Sequence, residues 1–205
     1  MGQGIRCKLV SWSEVQRLTL DLARRLRADA FTPDIIVAIG RGGWVPGRLL
    51  SDYLDNPNLT ELKVEHYRGT EKQAIAQIRY PLRADPAGQR VLLVDDVTDT
   101  GDSFTIALEH ILGRGEPSEL RTSVLHHKRV SPYAPDYFGQ MVPEWRWIIY
   151  PWAVIEDLSA LIRRMEETPP DAEAILERLL NDHDIRVPLH TVEDVLDLMS
   201  VQPNR

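Results

Sequence analysis

A single cysteine, Cys7, is all that 205 residues contain. It has no partner for an intrachain disulfide and no Cys or His neighbour at ligand spacing, so neither a disulfide framework nor a zinc knuckle is encoded. It reads as an incidental thiol. Long apolar runs are missing too. No stretch approaches the roughly 18 apolar residues that a membrane span requires, and the opening MGQGIRCKLV has no apolar core of a signal peptide. Its Met-Gly start is only weakly like a myristoylation signal, because Arg6 stands where Ser or Thr is wanted. The expected setting is the cytoplasm, away from membranes. A basic excess is also absent: 24 Lys and Arg face 31 Asp and Glu, for a net charge of -7. That balance excludes a nucleic-acid binder that works by neutralising phosphates. An anionic ligand must be caught by a local site. There is no internal repeat and no low-complexity tract, and 43% hydrophobic residues suffice for a proper core.

Local patterns predict an α/β chain. Ser11 and Glu14 form a capping-box pattern, and Val15, Leu18, Leu22 and Leu26 continue it as an amphipathic helix ending before Pro33. DIIVAIG, residues 34–40, reads as a buried parallel strand. A helix follows from about Pro46, and a shorter strand ends near Tyr67. Residues 68–81 are polar without clean periodicity and read as a mobile loop. Strands are expected at 91–94 and 120–125, with a helix at 103–112 between them. This order predicts an open, mostly parallel twisted sheet flanked by helices. Residues 128–152 turn aromatic and proline-rich, a composition suited to covering a ligand with flat side chains. Helical stretches are expected at 155–167, 171–181 and 192–199, the last after a Thr191–Asp194 capping pattern. The division expected is a main domain over 1–157 and a small helical appendage over 158–205.

The chemistry concentrates in VLLVDDVTDTGDS, residues 91–103. Strands of an open parallel sheet deliver ligand-binding residues at their carboxyl ends, where Asp95 and Asp96 fall. The following turn leads into a helix whose first N–H groups and positive dipole end attract phosphate. Gly101 lets backbone approach closely, and Thr100 and Ser103 add hydroxyl donors. Carboxylates that accept sugar hydroxyls or hold a hydrated divalent cation thus adjoin a phosphate cradle, and a sugar phosphate needs both.

As a whole string this resembles the phosphoribosyl-pyrophosphate signature of the type I phosphoribosyltransferases: apolar strand, two acids, two spacers, Asp-Thr-Gly, one spacer, then Ser or Thr. The resemblance implies that Asp95 and Asp96 hold ribose hydroxyls and help with magnesium. It also implies that Asp99 faces the base, and that Asp99, Thr100, Gly101, Asp102 and Ser103 wrap the 5'-phosphate. A pyrophosphate-bearing donor calls for a second anion site. AIGRGGWVPG supplies one, with Gly40, Gly42 and Gly43 permitting a tight turn and Arg41 adding a positive charge. This stretch is similar to the pyrophosphate loop of bacterial xanthine-guanine phosphoribosyltransferases, which implies a non-proline cis peptide between Gly40 and Arg41. By the same resemblance Lys128 contacts the purine O6, and Trp147-Ile148-Ile149-Tyr150-Pro151-Trp152 matches the pattern that supplies a stacking aromatic, Trp147, and backbone groups at Ile148. EHYRGTEKQ, residues 65–73, lies where the family has its closing catalytic loop. Tyr67 matches the tyrosine of a Ser-Tyr pair, with His66 in place of the serine, and Arg68, Lys72 and Arg79 are the cations that could reach the leaving pyrophosphate. Ile149 and Ala153 stand where the bacterial xanthine-guanine enzymes carry acids beside the base.

The resemblance spans residues 34–157 and implies a purine phosphoribosyltransferase with magnesium, phosphoribosyl pyrophosphate and a 6-oxopurine (hypoxanthine, guanine or xanthine) as partners, assembled as a homodimer or larger. Asp99, Arg41 and Tyr67 would be its catalytic residues. Three other readings stay open: transfer to adenine or a pyrimidine, a non-catalytic sensor of the donor or a nucleotide, and a metal-dependent hydrolase using His126 and His127. Lys128 speaks against adenine, whose position 6 is an amino group. The acidic tail from Asp157 speaks against a DNA-binding regulator. Adjacent histidines on a strand point to opposite faces and cannot easily share one metal.

Overall fold

The structure, a computed structural model, describes residues 4–68, 74–165 and 169–201; the side chains of 66–68, 74–75 and 201 lie outside the description. Among the described residues fourteen elements follow one another: β1 (Cys7–Leu9), α1 (Trp12–Ala28), β2 (Ile35–Gly40), α2 (Trp44–Tyr53), β3 (Leu59–Arg68), β4 (Ala74–Tyr80), β5 (Arg90–Thr98), α3 (Asp102–Arg114), β6 (Glu119–Lys128), β7 (Tyr137–Val142), β8 (Trp147–Ile149), α4 (Val154–Arg163), α5 (Ala172–His183) and α6 (Leu189–Val201). They form two compact units, residues 13–145 and residues 1–12 with 146–205.

The larger unit carries a six-stranded sheet in the order β4-β3-β2-β5-β6-β7. Every pairing in it is parallel except β3 with β4, which agrees with the expected open, mostly parallel sheet. Its central strands are apolar on both sides, as strands covered on both faces must be. Ile35, Val37, Ile39, Val91 and Leu93 pack with Phe104, Ala107 and Ile111 of α3. The alternate face carries Ile36, Ala38 and Leu92, all buried, with α2 approaching so closely that a Cβ on Gly47 would lie 3.3 Å from the Ala38 Cβ. α1 buries Val15, Leu18, Leu22 and Leu26, the stripe its spacing predicted.

Several boundaries move. Of the stretch read as a mobile loop, residues 74–80 are a strand, because Ala76 and Ile78 alternate inward onto the core while Gln77 and Arg79 point away. Residues 69–73 lie outside the described residues. β5 runs to Thr98 and β6 to Lys128, each past the apolar run that marked it, since parallel neighbours continue the hydrogen-bond ladder through Val97↔His126 and Thr98↔His127. Residues 137–142 of the aromatic segment add a sixth strand. α6 begins at Leu189, so Thr191 and Asp194 sit inside the helix and do not cap it.

The smaller unit pairs β1 with β8 in parallel. Cys7, Ile149, Leu158, Ile162, Ile175, Leu179, Val192 and Val195 form its apolar centre. Asp171 caps α5, its carboxylate accepting from the Ala174 N–H at 2.8 Å. The composition-based boundary at 157 and the packing boundary at 145 differ, because pairing with β1 draws β8 and α4 into this unit.

Candidate active site

The carboxyl ends of β2, β5 and β6 lie along one edge of the sheet, because all three strands run parallel. Each ends in a residue type suited to an anion or a polar ring: Gly40-Arg41-Gly42-Gly43 after β2, Asp95 to Ser103 through and after β5, and Lys128 closing β6.

The turn after β2 is held tightly. The Gly40–Arg41 peptide is cis, as the family resemblance implied. Gly43 donates its N–H to the Ile39 carbonyl at 2.8 Å and lies against the Val94 carbonyl, and a Cβ there would meet both strands. A Cβ on Gly42 would fall 2.5 Å from the Asp96 carboxylate. The glycines therefore allow the loop to reach the acidic end of β5, which the sequence treated as a separate motif. Arg41 is exposed at the tip of this turn.

Asp95 and Asp96 are the sixth and seventh residues of β5, so their side chains leave opposite faces of the strand. Asp96 faces Gly42. Asp95 is buried, and its Oδ1 accepts the Asp96 N–H at 2.9 Å. Burial, reinforced by the neighbouring Asp96 charge, raises its carboxyl well above the usual range. A carboxylate near a phosphate loop suits a hydrated magnesium carried in by a diphosphate, which needs only one or two protein ligands, and of the two carboxylates Asp96 is the one that faces the Gly42 turn. They would not form an all-protein cage: among the described residues no three or more His, Cys, Asp or Glu side chains converge on one point.

The β5–α3 turn is shaped by Gly101, whose φ of 83° is the left-handed conformation that glycine adopts without strain. A Cβ there would also collide with Tyr133, which stacks on Phe104 at a centroid distance of 5.0 Å. The Thr100 hydroxyl donates to the Asp102 carboxylate at 2.8 Å, and the Gly101 carbonyl accepts from the Thr105 N–H at 3.0 Å. Gly101, the N-cap of α3, has no side chain to cap it, and the first turn with Ser103 carries the N-terminal end of a helix dipole, the Thr100 hydroxyl accepting the Asp102 N–H at 3.5 Å.

Asp99 and Lys128, placed on a purine by the resemblance, are brought together. The Lys128 ammonium donates to Asp99 Oδ2 at 2.6 Å, and the lysine side chain is only 3% exposed. A third member was not foreseen. Trp145 Nε1 donates to Asp99 at 3.1 Å (Oδ1) and 3.3 Å (Oδ2), and the Lys128 ammonium lies 4.5 Å from the Trp145 ring centroid. Only the aromatic character of residues 128–152 hinted at it.

Other expected site residues have different surroundings. Trp147 and Ile148 belong to β8 in the smaller unit; there the Trp147 indole donates to Asp157 at 3.0 Å and Ile148 is buried. Arg79 is in β4, 3.9 Å from Glu65. The backbones of Tyr67 and Arg68 belong to β3 while their side chains, and all of Lys72, lie outside the described residues. His127 shares a 2.8 Å hydrogen bond between its Nδ1 and the Thr98 hydroxyl, and burial lowers its pKa. His126 turns to Glu14, 3.6 Å away. The two histidines thus serve separate partners.

The model of the phosphoribosyl transferase domain matches residues 11–155, which takes in α1 as well as the motifs. Xanthine-guanine phosphoribosyltransferase of Idiomarina loihiensis is 30% identical over 144 residues, covering 70% of this chain and 84% of that protein. Its counterpart in Cereibacter sphaeroides is 32% identical over 151 residues, with 70% and 84% covered. Among solved structures, a purine phosphoribosyltransferase of Pyrococcus horikoshii superposes with a TM-score of 0.65 at 31% identity, over 71% of this chain and 93% of that one. A sheet whose ends carry the donor signature, a glycine loop packed against it and matches across this span lead to one conclusion: the chain belongs to the phosphoribosyltransferase family.

Proposed function

We propose that this enzyme transfers the 5-phosphoribosyl group of phosphoribosyl pyrophosphate to a 6-oxopurine, hypoxanthine, guanine or xanthine, giving the nucleoside monophosphate and pyrophosphate in purine salvage. The observation that carries the reading is the convergence at one sheet edge of the Gly40–Gly43 turn, packed on Asp96, and the Asp99–Lys128 pair. The first suits a diphosphate donor; the second offers an acceptor and a donor side by side, the complement of a purine edge with N7–H and O6.

On family resemblance Asp95 and Asp96 hold the ribose hydroxyls and help with magnesium, Asp96 being the one that faces the Gly42 turn; the hydrated ion, when bound, would neutralise charge on the departing pyrophosphate. Gly40, Arg41 and Gly42 take the pyrophosphate itself, and Asp99 to Ser103 take the 5'-phosphate at the N-terminus of α3. Substitution at the anomeric carbon passes through a cation-like ribosyl, so positioned charge does most of the work. Asp99 accepts the N7 proton or stabilises the charged ring, and Lys128 donates to O6. Trp147 and Ile148 keep their base-side roles, and Tyr67 with a cation from Arg68, Lys72 or Arg79 its place at the closing loop, on family resemblance alone. A cytoplasmic homodimer or larger assembly belongs to the same reading.

The test is pyrophosphate release with magnesium, donor and each of hypoxanthine, guanine, xanthine, adenine, uracil and orotate in turn. Turnover with one of the first three supports the proposal and names the base. Turnover with adenine or a pyrimidine alone would discard the role given to Lys128, and donor binding without turnover on any base would favour a sensor.

A further inference from the structure

The Asp99–Lys128 pair carries a third member, Trp145, that any ligand of the pair would have to meet. Both Asp99 oxygens are engaged, Oδ2 by Lys128 at 2.6 Å and both by the Trp145 indole N–H at 3.1 and 3.3 Å. Lys128 is nearly fully buried and meets the carboxylate on one side and the indole face, 4.5 Å away, on the other. Trp145 lies in the irregular segment between β7 and β8 and is 44% exposed. A tryptophan so exposed is held here by its polar contact with Asp99 and its ring contact with Lys128.

An indole is a fused bicycle with an N–H on its five-membered ring, as is a purine carrying its proton on N7. Here it gives that N–H to Asp99 and, lacking a carbonyl, offers Lys128 its electron-rich face. We propose that Trp145 competes with the base for its site: the indole holds Asp99 and Lys128 and must yield when base enters. The inference rests on the functional reading of Asp99 and Lys128 given above.

The preference among bases follows from what Asp99 and Lys128 can accept once the indole has left. Displacing the indole takes an N–H from Asp99 and a ring face from Lys128, which stay paired with each other at 2.6 Å, so the incoming base gains most by offering Asp99 a donor and Lys128 a further acceptor. A 6-oxopurine supplies both on adjacent atoms, N7–H and O6. Adenine supplies the ring N–H but places an amino group before Lys128. A pyrimidine has no five-membered ring to bring the N–H to Asp99. The indole therefore lowers the apparent affinity for every base by the same factor, since a site competent in only a fraction of molecules binds more weakly by that fraction, while the choice among bases stays with Asp99 and Lys128.

The experiment compares wild type with Trp145→Phe, which keeps a ring beside Lys128 but deletes the N–H. Initial rates are measured against base concentration at saturating donor and magnesium, using the oxopurine that the wild type accepts. The KM for base is expected to fall about three- to tenfold, with kcat/KM rising by a similar factor, because the competing occupant is weakened. The KM for the donor, read in parallel, stays put. A folded variant whose base KM is unchanged or higher would overturn the proposal; a rise would make Trp145 a permanent stacking wall. Should the phenylalanine variant fail to fold by circular dichroism, Trp145→Leu removes both contacts and is expected to lower the base KM likewise. Lack of turnover by the wild type on every base would instead refute the functional reading, and the inference with it.

Discussion

At the scale of single residues, Asp99 is tied to Lys128, and that tie changes how a substitution must be read. Asp99→Asn should reduce kcat by about 100-fold or more, the range in which a positioned acid-base group contributes, while donor still protects the protein against heat. It also strips a buried ammonium of its counter-charge, which destabilises in its own right. The double variant Asp99→Asn with Lys128→Met should therefore regain melting temperature relative to the single variant yet recover no turnover; undiminished activity in either would remove Asp99 from catalysis. Gly42→Ala probes the other half of the site. Its new Cβ would lie 2.5 Å from the Asp96 carboxylate, so loop or carboxylate must move, and the donor KM should rise by about tenfold or more. Asp95 to Ser103 were legible in the sequence because strand, acids and turn are consecutive. Trp145 was not, since it meets Asp99 from 46 residues away and no local pattern records such a meeting.

Among the elements, strands with an apolar run announced themselves, and those that borrow their burial from a neighbour did not. β4 has isolated inward residues, Ala76 and Ile78, and is a strand because β3 offers it an antiparallel edge. β1 and β8, three residues each, fall below any periodicity test and exist through pairing with one another. One inter-strand tie is open to titration. Asp34, just before β2, accepts from the Arg90 backbone and guanidinium at 2.8 to 3.1 Å, at the start of β5. These hydrogen bonds hold its carboxyl down at about 2, below the ordinary 3.8. A carboxylate with a lowered folded pKa stabilises above its unfolded pKa and loses that contribution as pH falls from about 4 through about 2. Asp34→Asn should lower the melting temperature at neutral pH only slightly, by roughly 2 °C, because both partners are well exposed and solvent screens the pair. The gap between wild type and variant should close as pH approaches 2; a constant gap would assign the effect to lost geometry.

For the molecule as a whole, composition marked the main body and its tail, but the packing boundary follows from the β1–β8 pairing, which no composition shift signals. Cys7 reports on the smaller unit. It is buried among Ile149, Leu179 and Val192, and desolvation, with the nearby Asp157 charge, pushes its thiol up to about 11. At pH 8 the native thiol should resist a disulfide reagent, since the thiolate is the reactive form. Leu179→Ala, which empties part of that centre, should cost about 3 kcal/mol and speed labelling by about 100-fold where labelling follows the open population. Rapid labelling of the native wild type would contradict the burial assigned to Cys7.

The β1–β8 pairing also imposes an order on synthesis. Cys7 lies opposite Trp147, so about 140 residues must leave the ribosome before the first strand meets its partner. At about 5–20 residues per second that is a wait of roughly 7 to 30 seconds. The larger unit, contiguous from residue 13 to 145, can close in the meantime. β1 is therefore made well before the strand that completes it, and until β8 follows it lacks the partner that gives it its place.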